Sequence, residues 1–206
     1  MRPIEITTTS FSVADTNAVA ASQALAAAGD LVLTSSTVTL SPPRYVTITS
    51  DGDDSGITFT ITGTNPAGNA QTETVTGANA GAATSTLTFK TVTNIAASDA
   101  VATTVEAGYT QSGYSAWIPL DIYVVNQVTT ISATVSGTIN YSIEYTNENP
   151  FDTSITPTAV AHPTAALTGA TANQTAFTTT LMRAVRYKVN SGSGTIRLTI
   201  VQQSAV

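Results

Sequence analysis

Oxygen-bearing side chains at alternate positions are the first chemistry this chain offers: Asp51, Asp53 and Ser55, followed by Gly56. Oxygens at positions one, three and five ahead of a glycine open a calcium loop, because a hard cation gathers carboxylates and hydroxyls from one tight turn. Position twelve of that pattern is Thr62, where the site needs a bidentate Glu. The segment also lies between strand-like runs, so residues 51–56 read first as a hairpin turn and only second as a weak metal site of Asp51, Asp53 and Ser55. A Ser-His-Asp relay would depend on the single histidine, His162, set between Ala161 and Pro163 with no G-x-S-x-G elbow in the chain. Without cysteine, thiolate metal clusters, disulfides and a thiol nucleophile are all ruled out. Glu144, Glu148, Asp121 and Asp152 are the carboxylates a glycoside hydrolase could pair, but Trp117, Tyr141 and Tyr145 are expected in the core rather than as a sugar platform. Gly192-Ser193-Gly194 precedes no helix N-terminus and so reads as a turn, not a phosphate cradle. No catalytic residue and no cofactor is expected.

Composition points the same way. Of 206 residues, 42% are hydrophobic and only 10% charged, with a net charge of -6. Seven Lys and Arg scattered along the chain cannot neutralise a run of phosphates, which argues against nucleic acid, and they form no polybasic face for anionic lipid. No stretch of about 18 apolar residues occurs, and Met1-Arg2-Pro3-Ile4-Glu5 lacks a signal-peptide core, so a soluble product outside the membrane is expected. Threonine, serine, alanine and glycine replace the strong surface helix formers, which favours strands and turns.

The elements follow from period-two alternation. Tyr45-Val46-Thr47-Ile48-Thr49 and Ile57-Thr58-Phe59-Thr60-Ile61-Thr62 alternate apolar residues with threonine, as half-buried strands do. With runs at residues 72–76 and 86–90 they are expected to form a meander, completed by residues 91–95 and 101–106. Residues 14–29, alanine-rich with Asp15 or Thr16 as caps and Gly29 as a stop, read either as a short helix or as an irregular arm. Residues 108–115, rich in Gly, Ser and Tyr, read as a linker. Beyond them Trp117 to Val125 is the most apolar run and is expected in the core. Ile139, Tyr141, Ile143 and Tyr145 fall on one face of a strand, opposite Asn140, Ser142, Glu144 and Thr146. Ser136-Gly137 and the 191–194 run read as hairpin connections, and residues 147–175 as a long excursion across the sheet end. The expected fold is all-β: two small antiparallel β-sandwich or jelly-roll-like domains, residues 1–110 and 111–206, with an N-terminal arm and at most one short helix.

Two stretches carry a resemblance. The run from Arg44-Tyr45-Val46-Thr47 through Asp51-Gly52-Asp53 to Thr64, continuing through Glu73-Thr74-Val75-Thr76-Gly77 to Phe89-Lys90-Thr91-Val92, resembles small virion structural proteins of tailed bacteriophages. Ile118-Pro119-Leu120-Asp121, Gly137 to Thr146, Ala184-Val185-Arg186 and Gly192-Ser193-Gly194-Thr195 are similar to a second module of such proteins. Lacking heptads and long repeats, the chain is most like a capsid decoration, or cement, protein. The resemblance implies a non-enzymatic part on the outer surface of the capsid, made in the host cytoplasm, whose partners are the major capsid protein and copies of itself in a homotrimer. A tail or neck accessory protein is the alternative within the virion, and a carbohydrate-binding β-sandwich the alternative outside it. Ile4, Ile6 and Phe11 of the N-terminal arm are the expected partner-binding residues, adding a strand to a neighbour.

Overall fold

A computed structural model describes residues 4–123, 127–152 and 155–204. It is almost entirely β, with one 3-10 turn at Ala165–Leu167, and it divides into two compact units. One is Val13–Gly113; the other joins Met1–Ser12 to Tyr114–Val206. The N-terminal segment, expected with residues 13–110, groups with the second unit.

Within Val13–Gly113 the strands are β2 (Asp15–Gln23), β3 (Gly29–Asp30), β4 (Val38–Asp53), β5 (Thr58–Thr64), β6 (Ala70–Thr76), β7 (Asn79–Ala97) and β8 (Val105–Tyr114). Their ladder runs β8-β4-β7-β5-β6, with β2 paired to β8 and β3 to β7. Alternation does the folding: Val46, Ile48, Phe59 and Ile61 are fully buried beside Phe89, Val92 and Ile95, while the threonines between them lie on the opposite face, partly covered, with the Thr47 and Thr49 hydroxyl oxygens buried.

Four expectations fail here for physical reasons. Within residues 14–29, Asp15–Gln23 form β2 and Gly29–Asp30 form β3 in place of a short helix or an irregular arm, because Val19 and Ala20 are buried against the sheet and that burial outweighs the mild helix preference of alanine. Residues 51–56 close no hairpin: β7 lies between β4 and β5, so the turn joins strands that do not pair. The expected 86–90 and 91–95 strands are one long β7, which pairs with β4 along one edge and with β5 along the other. Residues 108–115 are no linker either. A Cβ on Gly108 would lie 1.9 Å from the Asp15 carbonyl oxygen, so this glycine permits close backbone packing rather than flexibility. The loop at residues 65–69 is a true hairpin, with the Asn65 carboxamide oxygen accepting from the amides of Ala67 and Asn69.

The other unit holds β1 (Ile4–Phe11), β9 (Ile118–Pro119), β10 (Gln127–Gly137), β11 (Asn140–Thr146), β12 (Val160–Ala161), β13 (Gln174–Thr178), β14 (Ala184–Ser191) and β15 (Gly194–Ser204). One sheet has the order β1-β15-β10-β13; the facing one pairs β12, β11, β14 and β9. Ile131, Ala133, Ile196, Leu198 and Ile200 from the first pack with Tyr141, Ile143, Val185, Tyr187 and Val189 from the second, which makes a β-sandwich. The tyrosines are held as neutral phenols: burial pushes Tyr141 up to about 12 and Tyr187 higher still, and Tyr141 donates to the Ala172 carbonyl at 3.0 Å.

The glycine runs at 136–137 and 191–194 are corners, not hairpins. β10 pairs along its full length with β15, and β11 with β14, so the two strand pairs are a single antiparallel ribbon folded over. The fold lies where Gly137 meets Gly194 and the Thr138 amide donates to the Ser193 carbonyl at 2.8 Å. A Cβ on Gly192 would sit 2.1 Å from the Thr138 oxygen, and one on Gly194 1.9 Å from the Ser136 oxygen. Residues 147–175 run along β11, bringing Leu167 and Ala170 into the core; Thr153 and Ser154 lie outside the described residues.

The apolar run at 117–125 divides. Ile118 and Leu120 are buried, Trp117 is only half-buried, Ile122 and Tyr123 are exposed, and Val124 and Val125 lie outside the described residues. The N-terminal arm is not free: its backbone forms β1, pairing Ile4 with Ile200 and Ile6 with Leu198, and Phe11 is buried in the sandwich core.

Gly192→Val should destabilise the sandwich by about 1–3 kcal/mol, since it puts a β-branched residue at a positive φ against backbone. Urea titration followed by tyrosine fluorescence checks this, and Gly56→Ala, which meets nothing within 4 Å, is the control expected to stay near wild type.

Candidate docking surface

The outer side of the β1-β15-β10-β13 sheet is a surface of mostly hydroxyl and small apolar residues, on which Arg197 is the charged residue of β15. Residues opposite one another share a face, so Phe177, Thr130 and Val201 form one row, and Thr175, Ser132 and Thr199 the next. Hydroxyls pair along the rows: Ser132 with Thr175 at 3.0 Å and Ser136 with Thr195 at 2.8 Å. Phe177 is 73% exposed and Val201 37%, at the end of the sheet where Leu181 is also 66% exposed. Across β10, β13 and β15 the sole charged residue is Arg197. Threonine methyls and paired hydroxyls allow the rest of such a face to be buried without stranding a charge.

Sequence reasoning missed Phe177, because residues 147–175 had been read as one polar excursion ending just short of it. The signal was there in Gln174-Thr175-Ala176-Phe177-Thr178, a short alternation with Ala176 buried and Phe177 out.

The second sheet carries a different cluster. Arg186 donates from Nε to the Glu144 carboxylate at 2.8 Å and from its terminal nitrogen at 2.7 Å. Its guanidinium lies 4.1 Å from the Tyr114 ring centroid and 4.4 Å from that of Trp117. The pairing of Glu144 with Arg186 follows from register, since the two are directly opposite on β11 and β14. Trp117 therefore clamps an ion pair instead of filling the core.

The other sequence candidates are occupied locally. Asp51 accepts from the Thr104 hydroxyl. Asp53 accepts from the hydroxyl and amide of Ser55, at 2.7 and 3.2 Å, which together hold its carboxyl below the usual carboxylate value. Asp54, buried beneath them, accepts from the Ala102 amide at 2.7 Å. The carboxylates of this turn thus point to separate partners, and among the described residues no group of three or more His, Asp or Glu is placed to hold a metal. Glu148 accepts from the Thr158 amide, Asp121 from the Tyr123 amide and Glu144 from Arg186, so these three do not converge on a common site. The backbones of Ile4 and Ile6 lie in β1, while their side chains lie outside the described residues.

His162 is 3% exposed. Its Nδ1 accepts from the Thr164 amide at 3.1 Å, which places the proton of the neutral ring on Nε2, and burial lowers its affinity for a second proton. Comparison of the chain with protein-family models, with curated proteins and with solved structures finds no match.

Two outcomes follow. Trp117→Ala should cost about 1 kcal/mol, the scale of a half-exposed cation–π contact, against about 2–5 kcal/mol for the core truncation Ile143→Ala, both read by urea titration. His162 is neutral when folded, whereas the unfolded imidazole protonates near pH 6.5; stability should hold above that pH and fall as the pH drops below it. His162→Gln should flatten this dependence between pH 7.5 and 5.5, and an unchanged slope would count against the assignment.

Proposed function

We propose that this chain is a non-enzymatic structural protein of a bacteriophage virion, decorating the outer capsid and stabilising it through β-rich contacts. The observation that carries the reading is the threonine- and serine-rich face of β10, β13 and β15, on which Arg197 is the sole charge and Phe177 and Val201 are exposed. A face of this kind suits wide, low-affinity burial repeated over many copies: each contact gains apolar area, and only Arg197 has to stay wet or find a partner charge. The resemblance of residues 44–92 and of the segments around 118–121, 137–146 and 184–195 to tailed-phage virion proteins supports it.

In this reading the partners are the major capsid protein and further copies of the chain in a homotrimer, and the work is done by surface fit without covalent chemistry. The two clusters that resemble reaction centres in the sequence have structural uses that agree with it. The acidic turn braces the loop at Ala102 and Thr104, and the Glu144–Arg186 pair with its two rings braces β11 against β14.

The decisive measurement is co-sedimentation with emptied heads. The protein should bind at a high, fixed copy number and raise the heat resistance of the heads, and Phe177→Lys should abolish the gain while leaving the free protein folded. Recovery in a few copies that follow tails would instead favour the tail or neck role, and a melting-temperature rise with glycans would favour the sugar-binding one.

A further inference from the structure

The four-stranded sheet has two outer strands, β1 and β13, and among the described residues neither has a partner strand on its outer side. Ladder parity fixes which backbone groups point outward there. The Val135 amide donates to the Asn173 side chain, on the β13 side, so Ala133, Ile131 and Thr129 also direct their backbone groups to β13. Their partners Gln174, Ala176 and Thr178 point back, which leaves the N–H and C=O of Thr175 and Phe177 facing outward. The same alternation carried across β15 turns Ile196, Leu198 and Ile200 toward β1 and leaves the backbone groups of Glu5 and Thr7 facing outward.

These two edges match. Thr175 and Phe177 lie on the outer face of the sheet, and Glu5 and Thr7 are in register with Thr199 and Arg197 of that same face. An antiparallel junction with Thr175 opposite Thr7 of the next copy, and Phe177 opposite Glu5 of the next copy, would therefore continue both the hydrogen-bond ladder and the inner and outer faces without a register slip.

We propose that copies of this chain join head to tail, the β13 edge of one pairing with the β1 edge of the next, in a closed ring. This rests on the trimeric assembly named above for its count of three and supplies the interface. Charge and edge coverage select it over two-fold pairing. β13 has no charge and no proline, the usual protections of an exposed edge. Pairing β1 with a second β1 would bring two copies of Glu5 into one short window, whereas the head-to-tail junction holds one. Pairing β13 with a second β13 covers that edge and leaves every β1 bare, and using both two-fold contacts yields an endless ribbon. A closed ring covers both edges of every copy.

Sedimentation velocity on the full chain tests it. Wild type should sediment at three times the chain mass. Thr175→Pro, which removes an outward N–H and no backbone bond to β10, should fall threefold to monomer with its circular dichroism retained, and Thr175→Val, which removes only the hydroxyl contact to Ser132, should keep the trimer mass. Phe177→Lys is the second variant, should the proline perturb folding, and is expected to give the same fall in mass. Because the chain has no cysteine, a Thr175→Cys variant mixed with a Thr7→Cys variant and oxidised should give a mixed disulfide that neither gives alone. A monomeric wild type, a Thr175→Pro variant that keeps its mass, or self-cross-linking of Thr175→Cys would overturn the junction. Wild-type rings that form and fail to bind emptied heads would overturn the decoration reading and leave the junction standing.

Discussion

Everything in this molecule depends on strands keeping a strict two-residue alternation, because so few charged side chains are available to mark a surface. Where other proteins use Lys and Glu to say which side faces water, this one uses threonine. The side chain differs from valine by a hydroxyl, and its β-branch suits an extended backbone, so strand formation and face selection are carried by the same residue. A slip of one position on β4 would exchange Val46 and Ile48 for Thr47 and Thr49 in the core, at the cost of several buried apolar side chains.

The second constraint is how closely backbones approach. Gly108 lies against Asp15 and Thr16, Gly63 against Thr91, and Gly137, Gly192 and Gly194 against the carbonyls of the facing corner. At each of these a methyl group would meet backbone. Glycine in this chain is therefore chiefly a packing residue, and at the folded ribbon it lets one two-stranded pair supply both layers of a sandwich. Bending a single ribbon keeps its hydrogen bonds nearly continuous through the corner, which a chain broken into two independent hairpins would have to forgo.

Sites and scaffolding are hard to separate in such a design. The polar groups with the most elaborate surroundings, Arg186 between two rings and Asp54 beneath its turn, hold strands and loops in place. The surface best suited to a partner has no elaborate group, only rows of hydroxyls, exposed Phe177 and Val201, and a single charge at Arg197. That inversion is what a protein working by area of contact requires: chemistry inside to fix the shape, and plainness outside so that burial carries little desolvation of charge.

The amino-acid sequence by itself settled the all-β character and the inward set Ile139, Tyr141 and Ile143, because each is written in local alternation or composition. It also placed Glu144 on the opposite, polar side of that strand, where it pairs with Arg186, although Ser142 and Thr146, expected on the same side, are buried. Tertiary structure alone decided which strands are neighbours. The turn at 51–56 and the corners at 137 and 191–194 have the same local chemistry as hairpins, and only the packing of β7 between β4 and β5, and of one ribbon over itself, distinguishes them. Trp117 was misplaced for a related reason: its hydrophobicity is local, but the guanidinium that occupies its face comes from a strand some seventy residues away in the sequence. Period two tells a residue which side it is on; it carries no information about what stands on that side, since pairing partners are chosen by burial summed over the whole sheet.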